Sequence, residues 1–516
     1  MRRLALLGAV VVALAAVAGF AWSTKPPSSR SVAAAGQVTA VTSVTRSCPP
    51  GVTGTGATHI SMIAVPSRTA AAKGSTGLST GSATLTAVPA AAASPAATAP
   101  GKKTPAGRTP AGKTSTKKTP NKTASVTETA PTAPVTVAEP GTATTVTAPS
   151  DGVAAGTALA ASGQMAEGFE AEQATSAGMG LVSCSHPGSD MWFVGSGASE
   201  IRLYLMNTGD LSASVNVDIL TDTGQQNGLA DAITVAPDQV IEENVAPYVR
   251  GAQAVAMEVE TSSGQVAASV WESNGKGVGA WVPQSAEPST TLVIPGLTVA
   301  SSAARLFVTV PGQNDARVKV VAYTPAGAFQ QFSTVPVQAS AGATTPVTLS
   351  SLGASAAGLV LTSNVPIVAG VLVAGTGIGS FATAGAPVTE QGVVAGNPAS
   401  AGLTVGLLLT APGAAATASV SVIDSNGTVT SPASLQDLTV RAGRTLAVVV
   451  PRPPGRQPFS IVLTPSAGSG PLYAARVVTT GSGGLSAPLV SLLPVQSALT
   501  EITLPVARNS YTAVLP

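Results

Sequence analysis

Residues 203–224, LYLMNTGDLSASVNVDILTDTG, return twice along the chain: as LFVTVPGQNDARVKVVAYTPAG at 306–327 and as LLLTAPGAAATASVSVIDSNG at 407–427. Each copy is an apolar run, a turn closing on a glycine (Gly209, Gly312, Gly413), an alternating run, and a second turn closing on Gly224, Gly327 or Gly427. The interval is 103 residues and then 100 or 101. A period that long, with strand-and-turn punctuation inside it, means tandem β domains and not a solenoid of short repeats.

Within the copies, Val215, Val217 and Ile219 alternate with Asn216 and Asp218, and Ala418, Val420 and Val422 alternate with Ser419 and Ser421. One face of such a strand is apolar and the other wet. A further hairpin is expected downstream, with first arms at 254–260, 358–362 and 459–464 and second arms opening at 266, 367 and 472. Strands and turns at this density match an immunoglobulin-like sandwich in architecture, without the Cys…Trp…Cys spacing of true immunoglobulin domains. The expected fold class is all-β: three tandem immunoglobulin-like β-sandwich repeats after an N-terminal transmembrane helix and a low-complexity stalk.

Outward from the copies, Arg2 and Arg3 precede an uncharged, mostly apolar run, Leu4 to Trp22. That length is at the threshold for one membrane-spanning helix. The positive-inside rule then puts everything after it outside the cytoplasm. The alternative is a signal peptide cleaved after Ala16-Val17-Ala18, giving a secreted protein. The only two cysteines, Cys48 and Cys184, are expected to pair in an oxidising compartment. Between Ser23 and Gly168 there is no Phe, Tyr or Trp, so much of this region is expected to be poorly ordered. Two patches, 59–65 and 83–88, still read as strands that could join a sheet with Cys184. Residues 101–122 carry seven bases and no acid. They read either as a solvated linker or as a basic arm touching anionic envelope polymer or lipid.

The predicted organisation is a signal anchor over 1–22, an N-terminal segment with a few strands over 23–88, and a Thr/Pro/Lys-rich disordered linker over 89–150. Three β domains follow, over 151–297, 298–396 and 397–516. The net charge of +2 hides an acidic first copy: residues 192–297 carry 12 acids against three bases. That asymmetry reads as solubility or as a partner surface.

Cys48-Pro49-Pro50, the stretch MAEGFEAEQ at 165–173 ahead of Cys184, and DMWFVG at 190–195 leading into Leu205-Met206-Asn207 resemble an uncharacterised family of exported actinobacterial proteins, a domain of unknown function. The resemblance implies a membrane-anchored or secreted protein and supplies no catalytic residue.

The residues themselves offer little chemistry. Two histidines, His59 and His186, without CxxC or HxxxH spacing give no metal site. Cys184 and His186 are two apart in a turn, a poor geometry for a nucleophile and its base. No catalytic residue, cofactor or nucleic-acid partner is expected, and no enzyme. Trp271 and Trp281 are the candidate ligand-contact aromatics: with Trp192 they fall in copy one, copies two and three contain no Trp, and the competing reading of a Trp in a β sandwich is core. The expected function is a non-enzymatic extracytoplasmic envelope protein presenting β modules to an envelope protein or cell-wall polymer, held to the membrane through residues 4–22. A carbohydrate-binding protein using the first repeat is the alternative, and an envelope enzyme comes third.

Overall fold

The computed structural model describes residues 37–52, 58–65, 79–91, 133–148, 155–175, 180–226, 229, 232–275, 279–298, 304–329, 336–349, 356–373, 379–481 and 484–504. The anchor expected over 4–22 and the basic stretch 101–122 lie outside them. Among the described residues no helix is long and apolar enough to cross a membrane. The chain divides into two units, one of Met1–Thr39 with Glu501–Pro516 and one of Ala40–Thr500. In the first, β1 (Gln37–Ala40) pairs with the last strand, Glu501–Leu504.

Among the described residues the second unit is all-β and holds four pairs of sheets. The first pair uses β2 (Ser43–Cys48), β3 (Thr58–Ala64), β4 (Ala83–Val88), β5 (Val135–Val137), β6 (Thr144–Thr147), β7 (Gly156–Ser162), β8 (Phe169–Thr175) and β9 (Val182–Ser183). Its sheets run β2-β7-β4-β5 and β6-β3-β8-β9. Ile60, Met62, Leu85, Leu159, Met165 and Phe169 fill the space between them, with Cys48 and Cys184 joined as a disulfide at its centre. This N-terminal sandwich is ordered structure in the aromatic-free region expected to be poorly ordered. Phe169, just past that region, is the ring in its core, and methionines and aliphatics supply the rest of the volume. Strands β5 and β6 fall within the segment read as linker. Strands β7 and β8 pair back across it to β2, β4 and β3.

Copy one comprises β10 (Asp190–Ser196), β11 (Glu200–Asn207), β12 (Ala213–Thr221), β13 (Gly224–Gln226), β14 (Ile233–Val235), β15 (Gln239–Asn244), β16 (Ala254–Ser263), β17 (Ala267–Ser273) and β18 (Gly279–Val282). Copy two comprises β19 (Ser289–Thr298), β20 (Ala304–Val310), β21 (Ala316–Thr324), β22 (Gly327–Phe329), β23 (Val337–Ala339), β24 (Ala343–Leu349), β25 (Ala356–Val373) and β26 (Ser380–Thr383). Copy three comprises β27 (Gly392–Asn397), β28 (Leu403–Ala411), β29 (Ala416–Ile423), β30 (Val429–Thr430), β31 (Leu438–Val440), β32 (Arg444–Val449), β33 (Phe459–Pro465), β34 (Tyr473–Thr480) and β35 (Leu489–Pro494). One sheet runs β10-β16-β12-β13 in copy one and β27-β33-β29-β30 in copy three; the other runs β15-β11-β17-β18 and β32-β28-β34-β35. Copy two repeats both orders, with β25 serving in each sheet.

That double service corrects the expected downstream hairpin. Strand β16 pairs with β10 and β12, while β17 pairs with β11 and β18, so the two arms lie in opposite sheets. In copy two the arms are one unbroken 18-residue strand passing from sheet to sheet. A hairpin needs both arms in one layer; here the connection turns over the edge of the sandwich. The true hairpins are the second turns, where Thr221 opposes Gly224 and Thr324 opposes Gly327. Gly224 and Gly327 have φ of 108° and 128°, a conformation that side chains with a Cβ rarely adopt.

The apolar run that opens each copy builds two interfaces at once. Leu203 and Leu205, Leu306 and Val308, and Leu407 and Leu409 face their own cores. The residues between them, Tyr204, Phe307 and Leu408, point outward and are buried against the preceding sandwich. Tyr204 packs with Val88, Phe307 with Trp192 and Val194, and Leu408 with Ile294 and Leu297. Burying a side chain of this kind contributes about 1.5–3 kcal/mol. Copy three then packs back on the N-terminal sandwich, Val393, Ala395 and Val462 meeting Ile63 and Ala143. The four sandwiches therefore form a closed cycle of joints. Strands covered on both faces read as unbroken apolar runs, as these do.

Candidate functional site

Both candidate tryptophans are inside the protein. Trp271 is 3% exposed and Trp281 4%. Trp281 lies in β18 and not in a loop; its ring meets Trp271 edge-on at 5.1 Å and Tyr204 at 5.8 Å between centroids. Together with Met206 and Val240 they form the joint between copy one and the N-terminal sandwich. Burial pushes the Tyr204 phenol up to about 12. No ring face is open to stack on a sugar. The sequence did carry a signal: Trp271 follows core-facing Val270 on β17, so it must point outward, to the face that carries the joint.

Besides Arg202, which pairs with Glu200 and Glu242 on copy one, charged side chains gather in two places among the described residues. On the open part of the copy-one sheet, Asp190 opposes Glu260, and Glu258 opposes Asp218. Partial burial and these neighbouring acids push Glu258 up to about 7. The second place is buried. Arg46 holds Glu170 at 2.6 Å, and two residues along β8 Glu172 takes both ends of the Arg476 guanidinium. Burial raises both carboxyl groups above the usual range, against the pull of their arginines. Burial, and then Arg46, lower His186. Among the described residues no group of His, Cys, Asp and Glu could hold a metal ion.

Among the described residues, a groove of about 870 Å³ opens where copy three meets the N-terminal sandwich. Its floor is the outer face of the β33–β29–β30 sheet, with Ser421, Ile423, Val429, Val462 and Thr464. One wall is 387–391 and the other 465–471, a run of Pro, Ser, Ala and Gly. At the rim, the Gln391 side-chain amide donates to the Val65 carbonyl at 2.6 Å, and the Thr500 hydroxyl donates to the Glu390 carboxylate. The lining residues include one carboxylate, no Lys or Arg, and no aromatic ring. Such a lining offers hydroxyls, backbone groups and small apolar contacts. It suits an extended polypeptide better than a phosphate or a stacked sugar. The sequence marked none of these residues as a site; Val65, Ser421, Val462 and Thr464 entered it only as parts of expected strands.

Comparison with curated proteins finds no match, and comparison with solved structures finds none either. A family model, described as a family of unknown function (DUF5719), matches residues 135–451. The match starts at β5 and runs to the residue after Val450, within copy three.

Proposed function

The chain belongs to the family of unknown function DUF5719, and we propose that it is a non-enzymatic, exported envelope protein whose immunoglobulin-like modules present a binding groove to an extended segment of another envelope protein. The groove carries this reading. The joints cover much of the outer sheet surface, whereas a groove of about 870 Å³ stays open beside Thr464 and the exposed Val429. Gln391 already takes a carbonyl of the strand end at Val65 beside it, the kind of contact that an extended backbone would extend. The exported setting, with residues 4–22 in an actinobacterial cytoplasmic membrane, is part of the same proposal. It is supported by Arg2 and Arg3 before an apolar run and by a buried disulfide.

The test is binding of the purified 23–516 chain to an array of unfolded 15-residue peptides drawn from extracytoplasmic proteins of the same cell. Val429 is 53% exposed, so Val429→Arg spares the core while placing a charge on the groove floor. Peptides that bind wild type and lose at least about tenfold affinity to the variant support the reading. An array with no binder, or binders indifferent to Val429→Arg, overturns it.

A further inference from the structure

Position 476 is where the third copy departs from the other two. In the strand registers Leu203 faces Val270, Leu306 faces Val371, and Leu407 faces Arg476. Val270 and Val371 are ordinary core residues. Arg476 is as buried as they are, at 0% exposed. Its guanidinium reaches Glu172 of the N-terminal sandwich through two contacts, Nη1 to Oε2 at 3.2 Å and Nη2 to Oε1. Nη1 also lies 3.5 Å from Asn397 Oδ1, and Asn397 is fixed by donating to Val394 O and Phe459 O at 3.0 Å each. Glu172 is 3% exposed.

The other joints are held differently. Thr344 donates to Leu220 O between copies one and two, and Thr410 donates to Pro295 O between copies two and three. The joint of copy one with the N-terminal sandwich packs aromatic and aliphatic side chains and adds backbone hydrogen bonds between 89–91 and Val240, with no buried ion pair across it among the described residues. Those three unite sandwiches that follow one another in the chain, so a short connection limits how far one face can slide over the next. The closing joint has no such tether: Glu172 and Arg476 are 304 residues apart. Its apolar contacts set Ile63 and Ala143 against Val393, Ala395, Ile423 and Val462, and hydrogen bonds such as Ala143 N–H to Asp424 O and Gly168 N–H to Leu499 O cross it beside the charged pair.

We propose that the Glu172–Arg476 pair is a registry lock, selecting the single docking of copy three on the N-terminal sandwich that closes the cycle. A buried pair adds little net stability over apolar residues, because desolvation consumes most of the attraction. It penalises misregister heavily, because any slip leaves two buried charges without partners. The lock holds whatever the groove binds.

The test uses the single variants Arg476→Val and Glu172→Leu, the double variant, and spin labels at exposed Thr136 and Thr439 in the full chain. Each single variant lowers the melting midpoint. The double variant is expected to return to within about 3 °C of wild type, while the label-to-label distance distribution widens or splits. A double variant with the wild-type midpoint and one narrow, unchanged distance would show the pair dispensable for register. A double variant as destabilised as the singles would show it to be a source of stability instead. Either result overturns the proposal.

Discussion

Gly296 of β19 lies directly beneath Leu408 of β28: a Cβ at position 296 would stand 2.4 Å from the Leu408 Cβ. The outward leucine of the third copy thus sits in a notch left by a missing side chain in the second. Gly296→Val is expected to destabilise by about 1–3 kcal/mol through overpacking. The measurement is urea unfolding of the variant beside wild type. Restoring space with Leu408→Ala in the same chain should recover part of the loss.

Glu272 sits between the two sheets of copy one, 1% exposed, and accepts hydrogen bonds from the Ser196 backbone N–H and hydroxyl at 3.1 and 2.6 Å. Burial pushes its carboxyl up to about 8, from 4.5 in an exposed chain. The folded state therefore holds this proton more tightly than the unfolded state does. The stability it confers is full below pH 4.5, declines as pH rises, and is lost once pH passes about 8. Glu272→Gln should flatten that decline, as read from denaturation midpoints at pH 5, 7 and 9.

The two flanks of the segment outside the described residues at 92–132 belong to neighbouring strands of one sheet, Leu85 opposing Val135. Residues 89–91 are separately fastened to Val240 by two backbone hydrogen bonds of 3.0 and 2.8 Å. Replacing 92–132 by a short Gly/Ser link should leave the melting midpoint within about 3 °C of wild type. A drop larger than that in a thermal melt would give the segment a structural role.

The Cys48–Cys184 bridge closes a loop of 136 residues through the N-terminal core. Its removal should cost up to about 5 kcal/mol, the chain-entropy limit for a loop of this length. Melting the Cys48→Ala/Cys184→Ala variant beside wild type measures it, and an unchanged midpoint would contradict the assignment.

How far the sequence reveals this molecule depends on which contacts are local. The strands at 59–65 and 83–88 and the cysteine pairing were legible from β-forming runs and cysteine count. The N-terminal sandwich was not, because β4 and β5 are sheet neighbours separated by a long low-complexity stretch. Alternation showed Val215 and Ile219 facing a core, but no pattern states that an outward face is also covered. That is why Trp271 and Trp281 could be named as candidate ligand contacts or as core, but not as the joint residues that they are. The arms at 254–260 and 266–268 looked like a hairpin because spacing alone does not distinguish a turn within a sheet from a crossing between sheets. The groove lay beyond reach for a related reason: its floor and walls come from 65, 387–391, 421–429 and 462–471.

The joints make Ala40–Thr500 one closed body and not a string of independent modules. Differential scanning calorimetry of wild type and Tyr204→Ala, Phe307→Ala and Leu408→Ala chains tests it most directly, since each substitution empties one joint and spares the core on the other face of its strand. Wild type should melt in one cooperative transition, moved as a whole to lower temperature by each substitution. Separate transitions for separate sandwiches, with each substitution moving only its own, would contradict it.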